Sequence, residues 1–257
     1  MKTFLLMLCC LAASHGWTCT EGPRLYSNVA QIDAGQGMVV VRDRYYYAYF
    51  LSGNYFYRLG TVRLNHVTVG PAGIWGTDTS NKVHKFIANN FTTVSGSLRQ
   101  VDAGGDGQVV GITSSNVTYC LRSGYASAYK GTGSVSWSSL SRKMKYVSCS
   151  PSNVCWGVDT SSQVYVIQRV IPTTCGTSSW IRVSGISMKM VEISTDGTVF
   201  GLATNGRVYQ RRGIYSSRPQ GTSWLSVPMC MPINHLSYDL GRLWVATTSG
   251  LLMVCTH

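Results

Sequence analysis

One short motif recurs six times along the 257 residues, and a recurrence of this kind constrains the fold more tightly than any other feature of the chain. Each copy has an apolar residue followed by a small one, then a glycine-bearing turn and a second β-like run. The copies begin Gln31-Ile32-Asp33-Ala34-Gly35, His66-Val67-Thr68-Val69-Gly70, Gln100-Val101-Asp102-Ala103-Gly104, Tyr146-Val147-Ser148-Cys149, Met190-Val191-Glu192-Ile193 and His235-Leu236-Ser237-Tyr238. Their anchors, Ile32, Val67, Val101, Val147, Val191 and Leu236, are spaced by 35, 34, 46, 44 and 45 residues.

The flanks repeat as well. Short runs such as Trp137-Ser138-Ser139-Leu140, Trp180-Ile181-Arg182-Val183 and Trp224-Leu225-Ser226-Val227 precede three copies. Polar turns and a third strand follow, as in Asp159-Thr160-Ser161-Ser162-Gln163-Val164-Tyr165. Each unit then holds four alternating strands, and four-stranded units of about 40 residues are the signature of a β-propeller. The expected fold is all-β, with six four-stranded blades, or five if the irregular first repeat is only partly formed. No capping repeat is visible, so the termini should meet and close the ring. Composition agrees, with 27 Gly, 15 Tyr, 7 Trp and only 12% charged residues, and little helix is expected.

The apolar run Phe4 to Ala13 after Lys2, followed by Ser14 and Gly16, reads as a signal peptide over residues 1–16. It is half the length a membrane span needs. The mature chain would begin at Trp17, form one domain to His257, be secreted, and insert into no membrane. Seven cysteines remain. Cys149 and Cys155 flank a turn and should bridge it; Cys19 and Cys255 would clasp the meeting ends of a circular fold. By elimination Cys120 pairs with Cys175 between neighbouring repeats. The remainder, Cys230, is then either a thiol or a link to a second molecule, which would make a homo-oligomer.

Without Lys2 the chain has 21 basic and 10 acidic side chains, about +11 in all. For an exported protein the matching polyanions are surface glycans rather than nucleic acid. The ten carboxylates do not suggest catalysis. Asp33 and Asp102 share a repeat position, as do Asp78 and Asp159, and Asp106 and Asp196, which is how turn residues behave. No carboxylate pair faces one bond, and no Ser-His-Asp order or zinc spacing emerges. The reading is a non-enzyme without a cofactor; no dedicated Ca²⁺ loop is present.

The Gln-Ile-Asp-Ala-Gly and Gln-Val-Asp-Ala-Gly stretches, the aromatic-Gly pairs at 75–76, 156–157 and 200–201, and the segment Ser194 to Gly201 resemble the tectonin repeat family. The fish-egg lectins and horseshoe-crab tachylectin belong to that family, and the similarity spans nearly the whole mature chain. It implies a secreted propeller that binds N-acetylglucosamine-type sugars and bacterial surface glycans such as lipopolysaccharide, in eggs or innate defence. Two repeats depart from the pattern. Repeat one has Val39-Val40-Val41-Arg42 and the tyrosine-rich Tyr45-Tyr46-Tyr47-Ala48-Tyr49, and repeat six has Val245 after Trp244.

A sugar offers an apolar face and fixed hydroxyls, so a site needs a ring and a few hydrogen-bonding groups, and repetition adds avidity. The candidates are Trp75, Trp156, Phe200 and Trp244 with Asp78, Asn81, Asp159, Gln163, Thr204 and Asn205, plus Tyr165, Tyr209 and Arg211. The same aromatics also suit packing between blades, and the polar residues also suit ordinary turns. Asn90-Phe91-Thr92 and Asn116-Val117-Thr118 are N-glycosylation sequons. A structural or protein-binding propeller of an egg coat is the competing function.

Overall fold

The computed structural model describes residues 16–257, so the signal-peptide reading falls almost wholly outside the described residues. Alternating sequence makes strands, and residues that tolerate positive φ end them: Gly37, Gly197 and Gly241 sit at φ 78°, 82° and 77°, and Asn81 and Asn153 at 63° and 62°. After β1 (Thr18–Glu21) the first unit comprises β2 (Val29–Gly35), β3 (Met38–Asp43), β4 (Tyr47–Ser52) and the start of the long β5 (Tyr55–Gly70). The rest of β5 continues into β6 (Gly73–Asp78), β7 (Lys82–Ile87) and β8 (Asn90–Ser97). The third unit is β9 (Gln100–Asp102), β10 (Val109–Ile112), β11 (Val117–Leu121) and β12 (Trp137–Lys143). Next come β13 (Tyr146–Ser150), β14 (Val154–Val158), β15 (Val164–Ile167) and β16 (Ile181–Val183), then β17 (Met188–Ile193), β18 (Val199–Ala203), β19 (Val208–Arg212) and β20 (Ser223–Val227). The last unit is β21 (Ile233–Asp239), β22 (Arg242–Thr247) and β23 (Leu252–Thr256), and a six-residue helix α1 (Ser123–Ala128) lies in the third.

Pairing is antiparallel throughout, and the seven-stranded sheet β2 to β8 divides at β5, whose first half pairs with β4 and second half with β6. The first repeat therefore supplies four paired strands. The leading strands touch in the order β2, β5, β9, β13, β17, β21 and back to β2, so the six units, blades 1 to 6, stand around an axis. Blade 6 takes its outermost strand from the opposite end of the chain: β1 pairs with β23, Cys19 opposite Cys255.

The six motif copies are those leading strands, and their side chains explain the motif. Gln31 Nε2 donates to Val67 O at 2.8 Å and its Oε1 accepts from Val67 N at 3.1 Å. Gln100 makes the same pair with Val147 at 2.7 and 3.1 Å. Two residues on, Asp33 accepts from Val69 N and Asp102 from Cys149 N. A Gln-x-Asp sequence thus ties one blade's backbone to the next. One layer of this belt alternates acid and hydroxyl around the ring: Asp33, Thr68, Asp102, Ser148, Glu192 and Ser237. The hydroxyls of Thr68, Ser148 and Ser237 accept from the following blade at Ala103 N, Ile193 N and Ala34 N. The motif glycines permit this approach, since a Cβ on Gly104 would lie 2.3 Å from Cys149 O and one on Gly70 would lie 2.1 Å from Ala103 O.

Burial of the belt shifts its titrations. Desolvation raises the pKa of Asp33; in Asp102 and Glu192 burial, reinforced by neighbouring carboxylate charge, raises it far more. His66 is pushed down to about 3 by burial and by Arg42, and His235 also falls well below its ordinary value through burial and the charge of His66.

All three expected disulfides are present: Cys19–Cys255, Cys120–Cys175 and Cys149–Cys155. Cys230 is disulfide-bonded as well, so it is not the leftover thiol that the sequence allowed.

Because the Cys19–Cys255 bond spans 236 residues, loop-closure entropy makes it worth roughly 5.5 kcal/mol. Replacing both with serine should lower the melting temperature by about 15 °C in a fluorimetric scan. Proton linkage gives a second expectation. The raised carboxyls stabilise the fold at low pH, and that contribution is lost as pH rises through their folded-state values. The lowered histidines act oppositely, their cost appearing as pH falls from 6.5 toward about 3. The Glu192→Gln variant should therefore lose less stability than the parent as pH rises above the ordinary glutamate range, and His66→Gln should lose less as pH falls from 6.5 toward about 3, both read from denaturation midpoints.

Candidate functional site

The unequal repeat spacings have a structural counterpart. In blades 1 and 2 the third and fourth strands join through tight hairpins at 52–55 and 87–90, whereas in blades 3, 4 and 5 the chain leaves through 122–136, 168–180 and 213–222 before returning. The extra residues of the longer repeats lie in these loops. Cys120–Cys175 ties the blade 3 outer strands to the blade 4 loop, and Ser123 N donates to Pro172 O at 2.8 Å.

The blade 5 loop walls a cleft of about 580 Å³ between blades 4 and 5, a size that suits one or two sugar rings. Blade 4 contributes Ser152, Val154, Trp156 and Gln168, and blade 5 contributes Asp196, Thr198, Gln210, Arg211, Arg212 and Tyr215. Within the loop Tyr215 and Arg218 pair through their backbones, and Gly221 takes a φ of 66° against Arg212 O, so the loop turns back on itself. Tyr215 is left 65% exposed at the rim. Arg211 is buried: its Nε donates to Gln220 O at 2.8 Å and its guanidinium lies 5.0 Å from the Trp224 ring centroid. Asp196 loses some solvation, but hydrogen bonds from Ser194 and Thr198 outweigh that and hold its pKa below the usual carboxylate value. It stays an anion. Two polar atoms in this lining, Trp156 Nε1 and Gln210 Oε1, are buried with no hydrogen-bond partner among the described residues.

The groove between blades 6 and 1 occupies the corresponding place. It measures about 210 Å³, is lined by Met38, Asp239, Leu240, Arg242 and Trp244, and has no long loop to wall it.

The structure separates the residues that the sequence grouped. Trp75, Trp156 and Phe200 are 0% exposed and Trp244 5%. Trp75 donates from Nε1 to Ala72 O, Trp156 meets Trp224 edge-on, and Phe200 packs on Tyr238 and Trp17. These rings wedge neighbouring blades apart at a fixed spacing, and their faces are covered by protein. The turn residues Asp78, Asn81, Asp159, Gln163, Thr204 and Asn205 lie at the other end of the strands from the cleft. Asp78 accepts from Ser80 N, Lys82 N and His84, and Asp159 from Ser161 N and Gln163 N. Gln163 accepts from Arg182 at 2.6 Å, Asn205 from Arg207 N, and Thr204 donates weakly to Ser187 O. Tyr165 lies beneath the Arg142 guanidinium at 3.5 Å, and Tyr209 packs in the blade 4–5 core. Of the thirteen, only Trp156 and Arg211 reach the cleft. Tyr215, Gln210 and Arg212 escaped the sequence reading; the one available signal was the added length between third and fourth strands.

The sequons differ in access. Asn90 is exposed on the β7–β8 hairpin, while Asn116 is half-buried and its Oδ1 accepts from Arg99 at 2.7 Å.

Taken together, the sheets and the ring define an all-β propeller. Solved structures agree on the fold: the virginiamycin B lyase of Staphylococcus aureus with quinupristin matches with a TM-score of 0.61 at 9% identity over 94% of this chain and 99% of that one. Human WBSCR16 matches with a TM-score of 0.55 at 12% identity over 90% and 77%. The tectonin domain model matches residues 28–248, and the chain belongs to the tectonin family. It is 37% identical over 158 residues to the fish-egg lectin of Cyprinus carpio, an alignment covering 61% of this chain and 65% of that protein.

Proposed function

We propose that this protein is a secreted, non-catalytic lectin that binds N-acetylglucosamine-type sugars in the inter-blade clefts, with the blade 4–5 cleft as its principal site. The observation that carries this reading is the exposed ring of Tyr215 at the rim of a cleft lined by the polar side chains of Asp196, Gln210 and Arg212. A sugar stacks its apolar face on such a ring while its hydroxyls and acetamido group exchange hydrogen bonds with the side chains behind it. The relationship to a fish-egg lectin points the same way. Bacterial surface glycans such as lipopolysaccharide are the corresponding polymers, and several grooves on one rigid ring would supply avidity.

Three disulfides support an oxidising, extracellular setting for a domain starting at Trp17. Among the described residues no helix is long and apolar enough to cross a membrane. The turn carboxylates Asp78 and Asp159 are spent on backbone amides, and Asp33, Asp102 and Glu192 are buried around the axis.

Calorimetric titration of the deglycosylated protein with N-acetylglucosamine, glucose serving as control, is expected to show saturable binding. The Tyr215→Ala change should weaken it about tenfold, the worth of one stacked ring, without altering the melting temperature. Absence of heat together with failure of chitin oligomers to bind would favour an egg-coat scaffold instead. In glycosylating cells, Asn90→Gln is expected to remove more glycosidase-sensitive mass than Asn116→Gln, as judged by gel shift.

A further inference from the structure

Blade 1 departs from the other repeats at the turn joining β3 to β4, where the sequence is Arg42-Asp43-Arg44-Tyr45-Tyr46-Tyr47. Its arginines are held by tyrosine rings. The Arg44 guanidinium lies 4.8 Å from the Tyr45 centroid and donates to the Tyr45 hydroxyl at 2.7 Å. Arg58 lies 3.6 Å from the Tyr47 centroid and Arg63, opposite Tyr47 in the β4–β5 register, lies 5.6 Å from it. Hydrogen bonding to Arg63 holds the Tyr47 hydroxyl below its ordinary pKa. All three arginines are exposed, and none is part of an ion pair among the described residues. The carboxylate in the same turn, Asp43, is buried and already accepts from Tyr45 N, Tyr47 N and the Tyr49 hydroxyl. Three guanidinium groups are therefore oriented by π-contacts, with their charge unneutralised.

We propose that the Arg44–Arg58–Arg63 corner of blade 1 is a second glycan site, selective for the sulfate or phosphate esters of an acidic polysaccharide. A guanidinium fork matches a tetrahedral oxyanion through paired N–H donors. Because the Tyr47 face is covered by Arg58, the corner reads anionic groups rather than sugar or base faces. The disulfides argue for an extracellular ligand, and acidic glycans are the polyanions of that space. A second copy of this chain fits poorly, since most of its few carboxylates are buried or engaged in turns. This site is separate from the blade 4–5 cleft and does not depend on it.

The test is binding of the full mature protein to dextran sulfate and to phosphomannan at physiological salt, with neutral dextran and single-stranded DNA as comparators. The Arg44→Ser/Arg58→Ser/Arg63→Ser variant is compared with Lys130→Ser/Lys143→Ser/Arg207→Ser, which removes equal charge from exposed positions elsewhere. The corner variant should lose about tenfold affinity and flatten the salt dependence, while the control loses less than twofold. Tyr47→Ala should weaken binding more than Tyr47→Phe, because phenylalanine keeps the ring that Arg58 covers and loses only the hydroxyl that bonds the arginines. The relative strengths on the two polymers identify the ester. Equal losses in the two triple variants would overturn the proposal, as would DNA binding as strong as the acidic glycans or self-association through this corner. Retention of N-acetylglucosamine binding by the corner variant separates this result from the fate of the cleft.

Discussion

A ring of blades has no free edge to spare, and its closure depends on the polar belt around the axis. Leading strands from neighbouring blades are not paired with one another, so their backbones are not joined by ordinary ladder hydrogen bonds. Gln31, Asp33, Gln100 and Asp102 supply the missing links by reaching across to backbone N–H and C=O groups of the next blade, and the hydroxyls of Thr68, Ser148 and Ser237 accept in return. The arrangement places three carboxyls near one another in a dry core. It is tolerable because they accept several hydrogen bonds and because burial favours their neutral forms. With the axis set in this way, β1 completes blade 6 and the terminal disulfide locks the ring.

Once the ring is closed, the remaining freedom lies at the blade edges, and the six repeats use it differently. Aromatic residues fill the wedge between blades, where radial divergence would otherwise leave voids: Trp75, Trp156, Phe200 and Trp244 occupy equivalent places. Beyond them, blade 5 extends a long loop and encloses a polar cleft, whereas blade 1 ends in a tight hairpin and presents arginines stacked on tyrosines. A single repeat thus generates chemically distinct surfaces without disturbing the core.

Much of this architecture was legible in the sequence, for a local reason. Alternation, positive-φ turn residues and the repeat period all act over a few neighbours, so strand order and the repeated unit could be read from the chain. The three disulfides followed from the same logic: Cys149 and Cys155 flank a turn, and a ring brings Cys19 to Cys255. The Asp residues at 78 and 159 also behave as turn residues, each accepting two backbone amides of its own turn. The candidate site was far less legible. Trp156 and Arg211 line the cleft, yet their neighbours on the candidate list lie in turns at the opposite end of the strands.

By itself the sequence determined the all-β repeat, the four strands of each unit and the cysteines that clasp the ends, because these depend on short-range periodicity and on the topology of a closed circle. The tertiary structure decided which aromatic rings are covered and which stay open, as with Trp156 against Tyr215, because burial at a blade face is set by the neighbouring blade. It also decided that loop 213–222 folds over a cleft in which Trp156 Nε1 and Gln210 Oε1 lack partners, since these atoms come from different blades more than 50 residues apart. Only packing around the ring brings them together.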